Sequence, residues 1–368
     1  MTILFVLENH YPYIGGVETL FKTLTEALVE KGNRVIVLTS HTDKSSPQSE
    51  ILNGVEINRL PFPNRYFFTF FSVPAILKYI KECDVVHTTS YNAGLPAFIA
   101  SLISRKKVII TFHEYWGKLW FKLPYMNIIA RSLFFSFEQM LVRLPFTKFI
   151  AVSESTKESL LQAGIKEDKI IVNYNGVDYD QIEASVKNAP TTDLENQPFT
   201  YTFCGRLGMS KGIDILLEAA NNFKEKQANS KLKMIIPKIP VAFYEKILKE
   251  IKDRNLEQYI ELKHELDKQE LQKELLNSHC VVVPSYTEGF CFVAVETIAL
   301  GVPIISSDKK ALREVVSGKF IKMKSFDSNA LVDALEDAYH GKWNQSEVNK
   351  FHLDDSVDRY IEVYKILQ

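Results

Sequence analysis

Short runs of β-branched and apolar residues, each followed by a stretch with helical spacing, recur along this chain in two successive series, and that repetition leaves few folds open. In the first half the runs are 3–7, 34–39, 84–87, 107–112, 148–152 and 170–172, with a helical stretch over 17–30 that Gly32 ends. Strands that are apolar on both faces belong to a parallel sheet covered by helices on both sides. A polar, acidic segment (178–197) follows, and the series then restarts with strands at 199–204, 232–236, 259–262, 279–283 and 303–306. Helices are predicted from Ile213, near 243–253, from Lys268 and over 291–300. The reading is an α/β protein of two doubly wound, parallel-sheet domains, 1–174 and 175–351, and the length of 368 residues suits two cores. A last helix within 352–368 carries Val357, Tyr360, Ile361 and Tyr364 at helical spacing. Packing back on the first domain and packing on the second are both open to it.

Composition narrows the function. A formal net charge of −1 excludes the broad basic surface of a general nucleic-acid binder, so no nucleic-acid partner is expected. The four cysteines (Cys83, Cys204, Cys280 and Cys291) show neither a C-x-x-C pair nor a framework spacing, which fits reduced thiols in a cytoplasmic protein. The apolar start at 1–7 is short for a signal peptide, and no segment approaches the roughly 20 apolar residues of a membrane span.

Ligands of open parallel sheets bind beyond the carboxyl ends of the strands, which singles out three loops. Gly205-Arg206-Leu207-Gly208-Met209-Ser210-Lys211-Gly212 follows a strand and opens a helix. Its glycines, two cations and helix N-terminus make a cradle for a diphosphate, although it matches neither the Walker A loop nor G-x-G-x-x-G. The segment from Ser285 to Glu296 places Glu288 before a helix and Glu296 inside it. Eight residues of helical rise span about 12 Å, beyond the roughly 5–9.5 Å between the carboxylates of a glycoside hydrolase. Two ends of one extended ligand suit that spacing. Glu296 lies in an otherwise apolar stretch, where a structural ion pair is the alternative explanation. Gly15-Gly16-Val17-Glu18 opens the first helix and offers backbone N–H groups to an anion.

Taken in this order, the loops resemble the retaining GT-B glycosyltransferases of family four, the group-one sugar transferases. The resemblance also takes in Thr111-Phe112-His113-Glu114, Val152-Ser153-Glu154-Ser155 and Asn175-Gly176-Val177-Asp178, and it spans most of the chain. It rests on G-R-L-x-x-x-K-G together with E-x7-E. The fold it implies is GT-B, two Rossmann-like domains with an inter-domain cleft. The activity it implies is transfer of a sugar, of hexosyl type, from a nucleotide-diphosphate sugar to a glycan or lipid-linked acceptor in surface polysaccharide or glycolipid assembly.

By the same resemblance His113, Arg206, Lys211 and Glu288 are catalytic, and Gly15, Gly16, Gly205, Gly289, Phe290, Cys291 and Glu296 bind the donor. Arg206 and Lys211 would take the diphosphate, Glu288 the transferred sugar and Glu296 the ribose. No cofactor or metal is expected, since two cations and a helix N-terminus can stabilise a leaving diphosphate. Asp178-Tyr179-Asp180 spells D-x-D but falls at the linker. Three places depart from the family pattern: Ile236-Pro237-Lys238-Ile239-Pro240 stands for a glycine-containing loop, Cys291 for the second glycine of Gly-Phe-Gly, and Lys310-Ala311 for Gly-Gly.

On the acceptor side, 65–71 is dense in aromatics, and 105–148 interleaves eight cations with aromatic residues such as Trp116, Trp120, Phe121, Phe134, Phe135 and Phe137. This mixture suits peripheral contact with an anionic membrane, at the inner face of the cell membrane. The alternative is that the aromatics pack inside the first domain and the lysines are simply solvated. Two rival functions are a sugar-nucleotide epimerase of the same fold and a non-catalytic partner subunit.

Overall fold

The computed structural model describes residues 1–13, 15–41, 43, 45–62, 64–187 and 194–367. Part of the acidic segment, 188–193, lies outside them. The chain forms two compact units, one from Met1–Lys122, Met126–Gly176 and the segment from Phe351 on, the other from Leu123–Tyr125 and Val177–Lys350.

The first unit is built on eight strands: β1 (Thr2–Val6), β2 (Arg34–Ser40), β3 (Ser49–Leu52), β4 (Val55–Leu60), β5 (Val85–Thr89), β6 (Val108–Phe112), β7 (Lys148–Ala151) and β8 (Ile170–Val172). They lie in the order β3-β4-β2-β1-β5-β6-β7-β8. All neighbours are parallel except β3 and β4. That hairpin was not foreseen, although its signal is present. Asn53-Gly54 supplies two consecutive residues of positive φ (49° and 81°), the backbone a tight two-residue β-turn demands.

Helices cover both faces of this sheet. Gly16–Glu30 and the last helix, Leu353–Ile366, share a core with Ile3, Phe5, Val85, Ile109 and Ile150. On the other face Phe68, Ile76, Ala97, Ala100, Leu141 and Val142 reach down from the helices Arg65–Phe71, Val73–Tyr79, Gly94–Ser104 and Ile128–Arg143.

The question of where the last helix packs is thus decided for the first unit. Val357, Tyr360, Val363 and Tyr364 are essentially inaccessible there. Burying a side chain of this kind is worth about 1.5–3 kcal/mol. Gly176 makes room for the helix start, because a Cβ at that position would stand 2.4 Å from Leu353 Cα. That approach gives a physical reason for the glycine of Asn175-Gly176-Val177-Asp178.

The second unit has seven strands: β9 (Phe199–Cys204), β10 (Ser230–Ile235), β11 (Ile260–Lys263), β12 (Cys280–Val283), β13 (Ile304–Ser306), β14 (Lys319–Lys322) and β15 (Asn344–Gln345). Their order is β11-β10-β9-β12-β13-β14-β15, with only β15 antiparallel. The core packs the helices Ile213–Lys226 and Ser328–Tyr339 against β9, β10 and β12. The acidic segment read as a linker is in part a helix, Tyr179–Lys187, which packs against the helix Phe292–Ala299. Tyr179 and Ile182 are buried in it, and two apolar anchors among nine residues are enough to hold a short amphipathic helix to a core.

Candidate functional site

In each sheet the strand order reverses at one point, between β1 and β5 in the first and between β9 and β12 in the second. The crevice beyond the carboxyl ends at such a point is where open α/β sheets bind ligands.

In the second unit the loops after β9 and β12 meet there. The first, 205–212, turns tightly where Lys211 N donates to the Gly208 carbonyl (3.2 Å) and is joined to the second where Tyr286 N donates to the Ser210 carbonyl (2.7 Å). Contact at Gly212 requires glycine twice over. Its φ is +67°, and a Cβ would sit 1.9 Å from the Pro284 carbonyl oxygen. Gly205, by contrast, has only the Phe203 ring near its Cβ position, at 3.9 Å, so folding does not demand a glycine there.

This junction brings Lys211 and Glu288 together. Lys211 Nζ lies 2.8 and 2.9 Å from the two carboxylate oxygens of Glu288, whose side chain is only 8% exposed. Ser285 Oγ donates to Glu288 Oε1 at 2.7 Å, and Ser307 Oγ holds the Ser285 carbonyl at 2.6 Å. The two residues assigned to separate parts of a ligand are therefore each other's partners. Tyr286 OH donates to Asp214 Oδ2 (2.6 Å), tying the same loop to the first turn of the helix Ile213–Lys226. Sequence reasoning singled out none of Ser285, Tyr286, Asp214 and Ser307 as site residues. Small polar residues carry no spacing signal until the loops are folded together.

Arg206 is exposed, whereas Gly289 and Phe290 are buried beside Glu288. Helix Phe292–Ala299 begins at Cys291, whose backbone is left-handed (φ 72°, ψ 75°). Lys310 also has positive φ, 49°. Two of the three departures from the family pattern thus occupy backbone that glycine adopts without steric cost. The 236–240 loop precedes the helix Val241–Asp253 and leaves Ile239 exposed. Glu296 sits in the second turn of its helix. Burial raises its pKa, and the charge of Lys268 works in the opposite direction.

In the first unit Gly15 caps the helix Gly16–Glu30 without a side-chain acceptor, in ordinary extended backbone, and accepts from Thr19 N at 2.8 Å. Glu8, just after β1, accepts from Asn92 N (3.2 Å) and Nδ2 (2.8 Å), which joins the loops after β1 and β5. His113 follows β6 and meets the buried Phe21 ring edge-on, with centroids 5.7 Å apart. Phe21 in turn contacts His87 at 5.6 Å.

His87 was not foreseen. It is wholly buried, with Nδ1 2.7 Å from Tyr364 OH and Nε2 2.8 Å from Thr111 Oγ1. Burial, with a smaller contribution from His113, pushes its pKa down to about 3, so the ring is neutral at pH 7.

Asp178 accepts from Gln181 N and so caps the helix Tyr179–Lys187. Among the described residues no helix is long and apolar enough to cross a membrane.

Two units, each a largely parallel α/β sheet with one strand-order reversal, are the architecture of the two-domain GT-B fold. Family models for Glycosyltransferase Family 4 and for Glycosyl transferases group 1 match residues 14–181 and 187–351. The chain belongs to this family of glycosyltransferases. An uncharacterized 41.2 kDa protein in the cps region of Klebsiella pneumoniae is 30% identical over 377 aligned positions, which span 95% of this chain and 96% of that one. The gpi3 component of phosphatidylinositol N-acetylglucosaminyltransferase from Schizosaccharomyces pombe is 21% identical over 341 positions, 90% of this chain and 71% of its own. Among solved structures, Anabaena Alr3699/HepE in complex with UDP-glucose has the same fold, with a TM-score of 0.74 at 16% identity and 100% of both chains covered.

Proposed function

We propose that this glycosyltransferase is a retaining, metal-independent enzyme that takes a hexosyl group from a nucleotide-diphosphate sugar. The observation that carries the reading is the Lys211–Glu288 pair, set where the loops after β9 and β12 meet at the strand-order reversal. A cation held by a buried carboxylate beside a helix start is suited to an anionic leaving group.

In this reading the bond between the anomeric carbon and the diphosphate oxygen breaks with its electron pair staying on the diphosphate. An acceptor hydroxyl oxygen bonds to the anomeric carbon on the same face, and the hydroxyl proton passes to the leaving diphosphate. Arg206 and Lys211 stabilise the charge that develops, which is the part a divalent metal plays in other transferases. Glu288 and the backbone from Gly289 to Cys291 grip the sugar and phosphate, Gly205 lets the backbone approach them, and Glu296 receives the ribose hydroxyls. In the first unit the Gly15-Gly16 turn and His113 are assigned to donor phosphate and donor sugar on the resemblance alone. The UDP-glucose bound by the Anabaena structure supports the donor class. The acceptor is a glycan or a lipid-linked molecule at the inner face of the cell membrane, a reading supported by the cps-region relative and by the phosphatidylinositol N-acetylglucosaminyltransferase component.

A thermal-shift screen of UDP-, GDP- and ADP-sugars without metal tests the donor. One donor at a hundred times its dissociation constant stabilises the fold by about 2.7 kcal/mol. The expected result is a shift with one donor that Arg206→Ala abolishes. The reading fails if no donor shifts the unfolding temperature, or if the shift requires a divalent cation.

A further inference from the structure

The two helical layers of the first unit differ on their outer surfaces. Among the described residues of Gly16–Glu30 and Leu353–Ile366, Ile366 is the one large apolar side chain left exposed. On the opposite face Phe70 is 70% exposed, Phe71 58%, Leu102 67% and Ile103 60%. These residues come from the helices Arg65–Phe71 and Gly94–Ser104, which pack against each other, while Val73–Tyr79 packs on the second of them. Their inner faces are already filled by Phe68, Ile76, Ala97 and Ala100, so the core does not need the outer residues.

An open groove of about 800 Å³ adjoins this face at Ile103, its other lining residues being Pro74, Leu77, Lys78, Lys81, Ser104 and Lys106. Lys106 Nζ is held by the Cys83 carbonyl at 2.6 Å, and Lys78 lies over the Tyr79 ring at 5.7 Å. No carboxylate lines the groove among the described residues. Of those that follow Lys81 and precede the next strand, Glu82 pairs with Arg34 (3.1 Å) and Asp84 accepts from Thr2 N (2.7 Å).

We propose that this face docks on a bilayer containing anionic phospholipid, with the lysine groove taking headgroup phosphates and Phe70, Phe71, Leu102 and Ile103 entering the acyl boundary. Lysine stems lie along apolar surface while their ammonium groups reach phosphate, and lysine is depleted at protein–protein interfaces. The aromatics of 105–148 divide between surface and interior, Phe121 being exposed. Trp120 is buried, stacked on Phe134 with centroids 5.2 Å apart and in contact with Trp116. The proposal deepens the membrane-side acceptor reading and rests on it only for the enzyme's place of action.

The test is flotation of the full chain with vesicles of phosphatidylcholine, with and without phosphatidylglycerol. Binding is expected only with the anionic vesicles and is expected to weaken as salt is raised. Each lysine near such a surface is worth about 1 kcal/mol, so Lys78→Ala with Lys81→Ala lowers partitioning about 30-fold. Leu102→Ser with Ile103→Ser, which leaves every charge in place, also lowers it. Unchanged unfolding temperature and donor shift in both variants show an intact fold and donor site. The proposal is overturned if the wild type stays unbound, if it floats equally on neutral vesicles, or if either variant floats like the wild type. A failed donor screen with successful flotation would remove the donor assignment and leave this face standing.

Discussion

At the scale of single residues, the site is governed by one half-buried ion pair and one strained backbone. Glu288 pairs with Lys211, so its removal takes away the carboxylate that balances a partly buried ammonium group. Glu288→Ala is expected to cost roughly 1–3 kcal/mol of stability in urea unfolding, while Glu288→Gln, which keeps an acceptor oxygen for Lys211 and Ser285, costs clearly less. No loss in Glu288→Ala would show that the pair does not hold the fold in solution. Cys291 carries a side chain at φ 72°, which costs about 1–2 kcal/mol relative to ordinary backbone. Cys291→Gly is expected to stabilise the second unit by up to about 1 kcal/mol after the extra chain entropy of glycine, whereas the β-branched Cys291→Val destabilises it. Urea midpoints that move the other way would place the strain elsewhere.

At the scale of elements, the last helix is fastened to the first sheet by a polar contact inside an apolar layer. His87, Tyr364 and Thr111 satisfy one another's polar atoms there, with the histidine ring neutral. The sign of the pH dependence follows from the lowered pKa. An unfolded histidine gains a proton near its ordinary value of about 6.5, whereas His87 in the folded chain resists protonation down to about 3. Its contribution to stability is therefore complete above about 6.5 and is lost progressively as the pH falls toward 3. His10, lowered to about 4 by burial and by Arg59 and Lys22, acts in the same direction. The unfolding temperature is expected to drop between pH 7 and 5, before most carboxylates titrate. A flat profile over that window would contradict it.

For the molecule as a whole, the order of the chain and the composition of the units differ. The segment from Phe351 on follows the second unit in sequence but belongs to the core of the first. A chain ended at Lys350 should lose amide-exchange protection in β5 and β6 while β9 and β12 keep theirs. Equal loss in both units, or in neither, would show that the core assignment is wrong. The strand series, the family and the charged residues of the 205–212 and 288–296 segments were all legible from residue order. The β3–β4 hairpin, the helix Tyr179–Lys187 and the strand β14 were not, because each is short and draws its stability from tertiary contacts rather than from a strong local period.

The sequence by itself determined what local chemistry and periodicity can encode: two parallel α/β series, glycine-bearing loops after strands, and cations at a helix start. Only the tertiary structure decided which side chains meet. Lys211 and Glu288 are 77 positions apart, and His87 and Tyr364 are 277 apart. Periodicity describes one element at a time, whereas these partnerships depend on how strands order themselves in a sheet and how closely loops approach. The same reason explains the re-sorted aromatics. An aromatic residue in a helical stretch reads alike whether it faces the core, as Trp120 does, or solvent, as Phe70 does on its own helix. Which face is covered is settled by the neighbouring elements, through the apolar area each can remove from water.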